Sequence, residues 1–239
     1  MAADLPSNVH VSKHPCLRAK LSQLRSENTN ARETKLLIHE IATIVACEAL
    51  SESFDAVPHG VGRSPLGYDY NAETITPSHI CLIPILRSGL GMIDALQSIL
   101  PLPVPIHHLG LYRESSALGV VEYYNKLPDQ KTRSSDPPTT PASAPTAPGP
   151  SHLAIIVDPV IATGATACAA IDTLRDWGVH RIVMISVIGS TEGLKKAGEK
   201  WAEGVQVWVG GMDEALDAKG MIKPGLGDVG DRLFLTAGR

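Results

Sequence analysis

The chain has 239 residues, 44% of them hydrophobic, and a formal net charge of −4 with a pI near 6.1. That length supports one substantial core and is short for two full domains, so one domain over 1–239 is expected. The acidic balance argues against nucleic acid as the main partner, because domains that bind it are usually basic. No apolar run is long enough to span a membrane, and Met1 to His10 lacks a charged segment leading into an apolar one. Neither a membrane span nor a secretory leader is expected. Cys16, Cys47, Cys81 and Cys168 show no C-x-x-C spacing, which predicts reduced, mostly buried thiols in a cytoplasmic protein.

The N-terminal part reads as helical. Asn30 is placed to cap a helix whose apolar positions Leu37, Ile41, Ile44 and Val45 share one face. The Gly-, Pro- and Tyr-rich stretch from Val57 to Pro77 reads as loops or a short hairpin. Ile80 to Leu86 is a strand, Met92 to Leu100 a helix, and Val104 to Leu111 a second strand. Leu153 to Val157, Arg181 to Ile188 and Val205 to Val209 are further strands. They are separated by helices from Ala167 to Trp177, which Gly178 closes, and from Thr191 to Trp201. Continuous apolar strands alternating with helices predict an α/β fold around a buried parallel sheet. Gln130 to Pro150 breaks this order, for seven of the chain's 18 prolines lie between Pro128 and Pro150. Such a stretch buries too little apolar surface to offset its ordering entropy, and reads as a flexible surface insertion at 130–150.

Four segments carry chemistry. In Val157 to Thr166 an apolar strand delivers Asp158, and then Ala162, Thr163, Gly164, Ala165 and Thr166 lead into a helix. N–H groups at a helix N-terminus suit a phosphate, and Asp158 stands where a carboxylate reaches ribose hydroxyls. Alone, the segment is equally a strand-to-helix turn capped by threonine. Arg87-Ser88-Gly89-Leu90-Gly91 is a small-residue turn whose arginine suits a second anion. The polar, aromatic run from Leu111 to Pro128 reads as a mobile flap carrying Arg113, or as a two-stranded extension with solvated charges. Gly220 to Arg232 is a glycine-rich coil with exposed N–H and C=O groups, able to read a small planar base. His107 and His108 read as a structural pair, Lys195 and Lys196 as a solvated face, and Trp177, Trp201 and Trp208 as packing residues.

Together these segments resemble the uracil phosphoribosyltransferases, from Lys13-His14-Pro15 to Thr236 with the Pro-rich insertion outside the likeness. Pro84 to Met92 is similar to that family's diphosphate loop, and Tyr112-Arg113-Glu114 with Glu122 to Pro128 to its flap. Asp158 to Thr166 is similar to its loop for 5-phosphoribosyl diphosphate (PRPP), and Pro224 to Arg232 to its uracil-binding hood. The resemblance implies a phosphoribosyltransferase-type parallel sheet with a flap and a C-terminal hood. It implies a glycosyltransferase of pyrimidine salvage that joins uracil to PRPP, giving UMP and diphosphate. Arg87 and Arg113 would hold the diphosphate, Asp158 the ribose hydroxyls, Ala162 to Thr166 the 5-phosphate, and Asp228 PRPP. Backbone groups of Ile222, Gly227, Asp228 and Val229 would face uracil. Mg²⁺ would ride on PRPP, GTP would serve as an allosteric activator with Lys20 and Arg25 as candidate contacts, and the chain would form a homodimer or larger homo-oligomer through its N-terminal helices.

The sequence departs from the family at several points. Ala165-Thr166 replaces Gly-Ser, Met221 replaces tyrosine, Val229 replaces alanine, and Leu235 replaces the glycine before the last threonine. The two hood changes bear on base affinity and base choice more than on reaction type. They are the support for a transferase that uses a different base; the other alternative is a catalytically weak PRPP- or nucleotide-binding regulator.

Overall fold

The computed structural model describes residues 5–113, 120–128 and 151–236. Glu114 to Gly119 of the expected flap and the Pro-rich insertion at 130–150 lie outside the described residues, as does the side chain of Arg113. In chain order the elements are β1 (Val9–Val11), α1 (Pro15–Leu24), α2 (Ala31–Ser51), β2 (Asp55–Arg63), β3 (Asp69–Thr76), β4 (Ile80–Leu86), a 3₁₀ turn (Ser88–Met92) and α3 (Ile93–Ile99). There follow β5 (Leu109–Arg113), β6 (Val120–Asn125), β7 (Leu153–Val157), β8 (Val160–Ile161), α4 (Ala165–Trp177), β9 (Arg181–Ser190), α5 (Thr191–Lys200), β10 (Val205–Asp213), β11 (Ala215–Leu216), β12 (Ile222–Lys223) and α6 (Val229–Phe234).

The main sheet runs β1-β10-β9-β7-β4-β5-β6, with β8 also on β9. All its pairs are parallel except β5 with β6. Side chains alternate across a strand, so β4 sends Ile80 and Leu82 to one face, Cys81, Ile83 and Ile85 to the other. The first face packs against α1, α2 and α3, and the second against α4 and α5. Burial on both faces is why these strands are continuously apolar. The expected α/β architecture is therefore present.

Several local readings hold. Asn30 caps α2 in a full capping box, its side chain accepting the Glu33 N–H at 3.0 Å while Glu33 accepts the Asn30 N–H at 3.3 Å. Gly178 closes α4 in the left-handed conformation. The hairpin option for Val57 to Pro77 is realised by β2 and β3, which form a separate antiparallel pair.

Other readings need correction. No continuous strand covers Val104 to Leu111: Ile106 makes an isolated bridge to Leu82, and β5 begins at Leu109. Pro103 and Pro105 have no N–H to give a ladder, and Pro105 supplies only its carbonyl, to the Leu82 N–H. The hood is not coil throughout, because Asp228 starts the short helix α6. The thiols are not mostly buried: Cys81 is, whereas Cys16 and Cys47 are exposed. The apolar faces of the N-terminal helices are spent inside, Leu17, Leu21, Leu37, Ile38 and Ile41 all lying in the core. Among the described residues no helix is long and apolar enough to cross a membrane.

Candidate active site

The carboxyl ends of β4, β5 and β7 open into a cavity of about 810 Å³. Parallel sheets flanked by helices place their ligands at this edge. Ser88, Asp158, the run Ala162 to Thr166, and Gly227 to Gly230 all line it. With Leu111 and Tyr112 also in its wall, the cavity draws on all four chemistry-bearing segments.

Gly164 is the N-cap of α4, at φ 78°, and offers no side chain to the first turn. The opening N–H groups of a helix have no intrahelical acceptor. At α2, α5 and α6 the side chains of Asn30, Ser190 and Asp228 take one of them. At α4 the N-cap residue offers none, the Thr163 hydroxyl reaches only the Ala165 N–H at 3.5 Å, and this end faces the cavity. The loop is held from below by α5. Ser190 Oγ donates to the Ala162 carbonyl at 2.5 Å and accepts the Gly193 N–H at 2.9 Å.

Asp158 leaves β7 at the cavity wall and is buried. Burial pushes its carboxyl up to about 7, against the opposing pull of the Ser88 hydroxyl and the Val160 N–H. Ser88 Oγ donates to Asp158 Oδ1 at 3.1 Å, and Ser186 Oγ donates to the Asp158 carbonyl at 2.6 Å.

Residues 11–236 match the family model described as uracil phosphoribosyltransferase. The chain belongs to the uracil phosphoribosyltransferase family. It is 38% identical to the uracil phosphoribosyltransferase of Finegoldia magna, over 96% of this chain and 99% of that one. It is 33% identical to a putative uracil phosphoribosyltransferase of Schizosaccharomyces pombe, over 95% and 90% respectively. A solved structure of an Aquifex aeolicus protein superposes with a TM-score of 0.79 at 28% identity, covering 97% of this chain and all of that one.

Of the residues the family resemblance singles out, Asp158, Ala162, Thr163, Gly164, Ala165, Thr166, Gly227, Asp228 and Val229 line the cavity. Ile222 lies behind it, buried in β12. Arg87 turns to the C-terminal segment, pairing with Asp231 at 3.3 Å and Thr236 at 3.0 Å. Arg113 ends β5. The Asp228 carboxylate accepts the Asp231 N–H at 2.9 Å and so caps α6. Val229 lines the cavity and is buried in the same core cluster as Ile222 and Leu226. Met221 stands partly exposed at the cavity wall.

Local spacing did not reveal the supports of the hood. Asp213, at the end of β10, forms a two-pronged ion pair with Arg25 at 2.7 and 2.8 Å. The same carboxylate accepts the Gly225 N–H, while Arg25 donates to the Gly225 carbonyl. Burial pushes Asp213 up, and the Arg25 and Gly225 hydrogen bonds overcome it, leaving the carboxyl below its ordinary value. Gly225 has φ 63°, and a Cβ there would stand 2.1 Å from the Ile222 carbonyl oxygen, so the turn requires glycine. Arg232 ties the hood to the end of α1, donating to the Leu24 and Leu226 carbonyls. Lys219 was also missed. Among the described residues that line the cavity it is the one cation.

Two sequence readings change in detail. Trp177 packs in the core, and its indole N–H also donates to the Pro128 carbonyl at 2.9 Å, pinning the flap's exit to α4. Lys20 and Arg25 are engaged by Glu40 and Asp213.

Proposed function

We propose that this chain transfers the 5-phosphoribosyl group of PRPP to N1 of uracil, releasing diphosphate and forming UMP. The observation that carries this reading is the helix end at Gly164, whose N-cap has no side chain and which faces the same cavity as Asp158 and the hood. Ala162 to Thr166 cradle the 5-phosphate, Asp158 accepts from the ribose hydroxyls, and Asp228 contacts PRPP. Arg87 and Arg113 hold the diphosphate. Backbone groups at Ile222, Gly227, Asp228 and Val229 read the base.

In the reaction the bond from C1 to the diphosphate oxygen breaks, its electron pair leaving with diphosphate. The bond from C1 to N1 of uracil forms, and the N1 proton is lost. Positive charge builds on the ribose while negative charge builds on the leaving group, so fixed N–H groups and arginines lower the barrier. The ionisable side chains that line the cavity among the described residues are Tyr112, Asp158, Lys219 and Asp228. The two carboxylates are assigned elsewhere, Asp158 to the ribose hydroxyls and Asp228 to PRPP, so in this reading the base is polarised by backbone donors on its carbonyl oxygens.

Among the described residues no group of three or more His, Cys, Asp or Glu side chains could hold a metal. Mg²⁺ would ride on PRPP, with the Asp158 and Asp228 carboxylates as the oxygen donors of the cavity wall, and would supply charge neutralisation for the diphosphate. GTP activation rests on the resemblance alone, and the paired Lys20 and Arg25 offer it no free cation. A single-domain cytoplasmic homo-oligomer completes the proposal. Its support is the β2–β3 hairpin, which stands outside the main sheet with Val61, Leu66, Tyr68 and Tyr70 exposed. A lone hairpin is marginal in water, so a second copy is its natural cover.

The test is UMP formation from radiolabelled uracil, PRPP and Mg²⁺, with cytosine, hypoxanthine and orotate as controls. Turnover with uracil alone is expected. No turnover with any base, alongside PRPP binding by calorimetry, would overturn the enzyme in favour of the regulator.

A further inference from the structure

Arg87, Asp231 and Thr236 form a closed triangle beside the cavity. Arg87 Nη1 donates to Thr236 Oγ1 at 3.0 Å, and Nη2 donates to Asp231 Oδ1 at 3.3 Å. Thr236 Oγ1 in turn donates to that same Asp231 oxygen at 2.6 Å. The hydroxyl therefore accepts from the guanidinium and donates to the carboxylate, which fixes its direction. A guanidinium has five N–H donors in a rigid fork. Two go to this pair, and the others stay available to an anion.

An independent feature points the same way. Thr236 reaches the triangle because Leu235 turns the chain back at φ 54° and ψ 41°. Leu235 is the one non-glycine residue with positive φ among the described residues. Its side chain is 80% exposed, so packing does not impose that conformation. Branched residues adopt the left-handed region at a cost, and such positions persist where the surroundings over-determine them. Here the surroundings are the Thr236 N–H on the Asp231 carbonyl at 3.3 Å and the Thr236 hydroxyl in the triangle. The helix that carries Asp231 to Arg87 also carries Val229 and Gly230 to the cavity wall.

We propose that Asp231 and Thr236 are positioning residues for the leaving group, orienting the Arg87 guanidinium toward the diphosphate of PRPP. This rests on the reading above that Arg87 contacts that diphosphate. Neither residue touches the substrate. Each acts through Arg87, so the C-terminal turn is part of the diphosphate site.

Steady-state kinetics on Thr236→Val, Thr236→Ser, Asp231→Asn and Arg87→Ala, singly and with Arg87→Ala as background, test this. Thr236→Val and Asp231→Asn should raise KM for PRPP about tenfold and leave KM for uracil within about twofold. Thr236→Ser should restore the wild-type value. In the Arg87→Ala background, Thr236→Val should have no further effect, because the group it acts through is gone. Far-UV circular dichroism and melting curves identify any variant that fails to fold, and Thr236→Ser then carries the comparison. The inference is overturned if Thr236→Val and Asp231→Asn keep the wild-type KM for PRPP, or if their effects multiply with that of Arg87→Ala. An unchanged KM for PRPP in Arg87→Ala alone would instead sink the underlying reading of Arg87, and the inference with it.

Discussion

Gly193 sits so close beneath Ala162 that a Cβ on it would stand 2.2 Å from the Ala162 carbonyl oxygen. The first turn of α5 is thus the floor of the proposed phosphate loop, with Ser190 bonded to both. Gly193→Ala must lift the loop or tilt the helix. It should lower kcat/KM for PRPP by at least about tenfold and cost about 2 kcal/mol of stability. Calorimetric PRPP titration and a melting curve check both parts. A variant with wild-type affinity would show that the loop tolerates displacement.

Asp158 gives a pH prediction whose sign follows from burial. Its folded value, about 7, lies above the ordinary 3.8, so the folded state holds the proton more tightly than the unfolded one. The contribution of Asp158 to stability is full below about pH 4 and is lost as pH rises through 7, by about 4 kcal/mol for a shift of this size. Asp158→Asn removes the charge that has to be buried. Its melting temperature should exceed wild type at pH 8 and match it near pH 4. Its kcat/KM for PRPP should fall about a hundredfold, because the charged acceptor for the ribose hydroxyls is lost. A variant less stable than wild type at pH 8 would refute the assignment of burial as the dominant cause.

The strand, loop and helix that present Asp158 and Gly164 were legible because their signals are local: an apolar strand, an acid, small residues and a helix start lie between Leu153 and Trp177. The sheet was legible for the same reason, since strands buried on both faces are apolar throughout. What escaped was the part held by distant partners. β1 contributes only Val9, His10 and Val11, and becomes a strand by pairing with Val207 to Val209. Arg25 and Asp213 lie 188 positions apart, so no spacing connects them. α6 was hidden because Gly227 and Gly230 mask a helix whose start is set by the Asp228 cap. Val104 to Leu111 misled because its apolar character ignored the donors missing at Pro103 and Pro105.

The Arg25–Asp213 pair holds the hood turn through both backbone groups of Gly225. Removing the arginine strands a largely buried carboxylate. Arg25→Ala should cost about 2 kcal/mol at neutral pH, and raise KM for uracil more than KM for PRPP. Asp213 has a folded value below its ordinary one, so the stability it contributes is present above about pH 4 and is lost as pH falls through the folded value. The gap between wild type and Arg25→Ala should therefore narrow toward pH 3, as followed by denaturant titration across that range. A gap independent of pH would assign the loss to packing of the arginine stem.

Lys219 brings positive charge to a cavity whose other charged lining groups among the described residues, Asp158 and Asp228, are acids. The turn that presents it is closed by Asp217, whose side chain accepts the Lys219 and Met221 N–H groups at 2.8 Å. Because the lysine is exposed, its effect on a bound polyanion is modest and screened by salt. Lys219→Ala should raise KM for PRPP about fivefold at low ionic strength, and the difference should shrink at high ionic strength. A salt-independent effect would place the role of Lys219 in the shape of the turn rather than in its charge.

Leu235 adopts a backbone conformation that glycine enters without penalty. Its side chain is almost wholly solvent-exposed, so little packing is lost on truncation. Leu235→Gly should therefore stabilise the protein by up to about 1 kcal/mol, with the greater freedom of glycine in the unfolded chain subtracting part of the gain. Leu235→Ala separates the two contributions, since it removes the side chain and keeps the strain; it should melt close to wild type, and Leu235→Gly above it. If alanine stabilised as much as glycine, the cost would lie in the exposed leucine side chain and not in the left-handed turn that delivers Thr236 to Arg87.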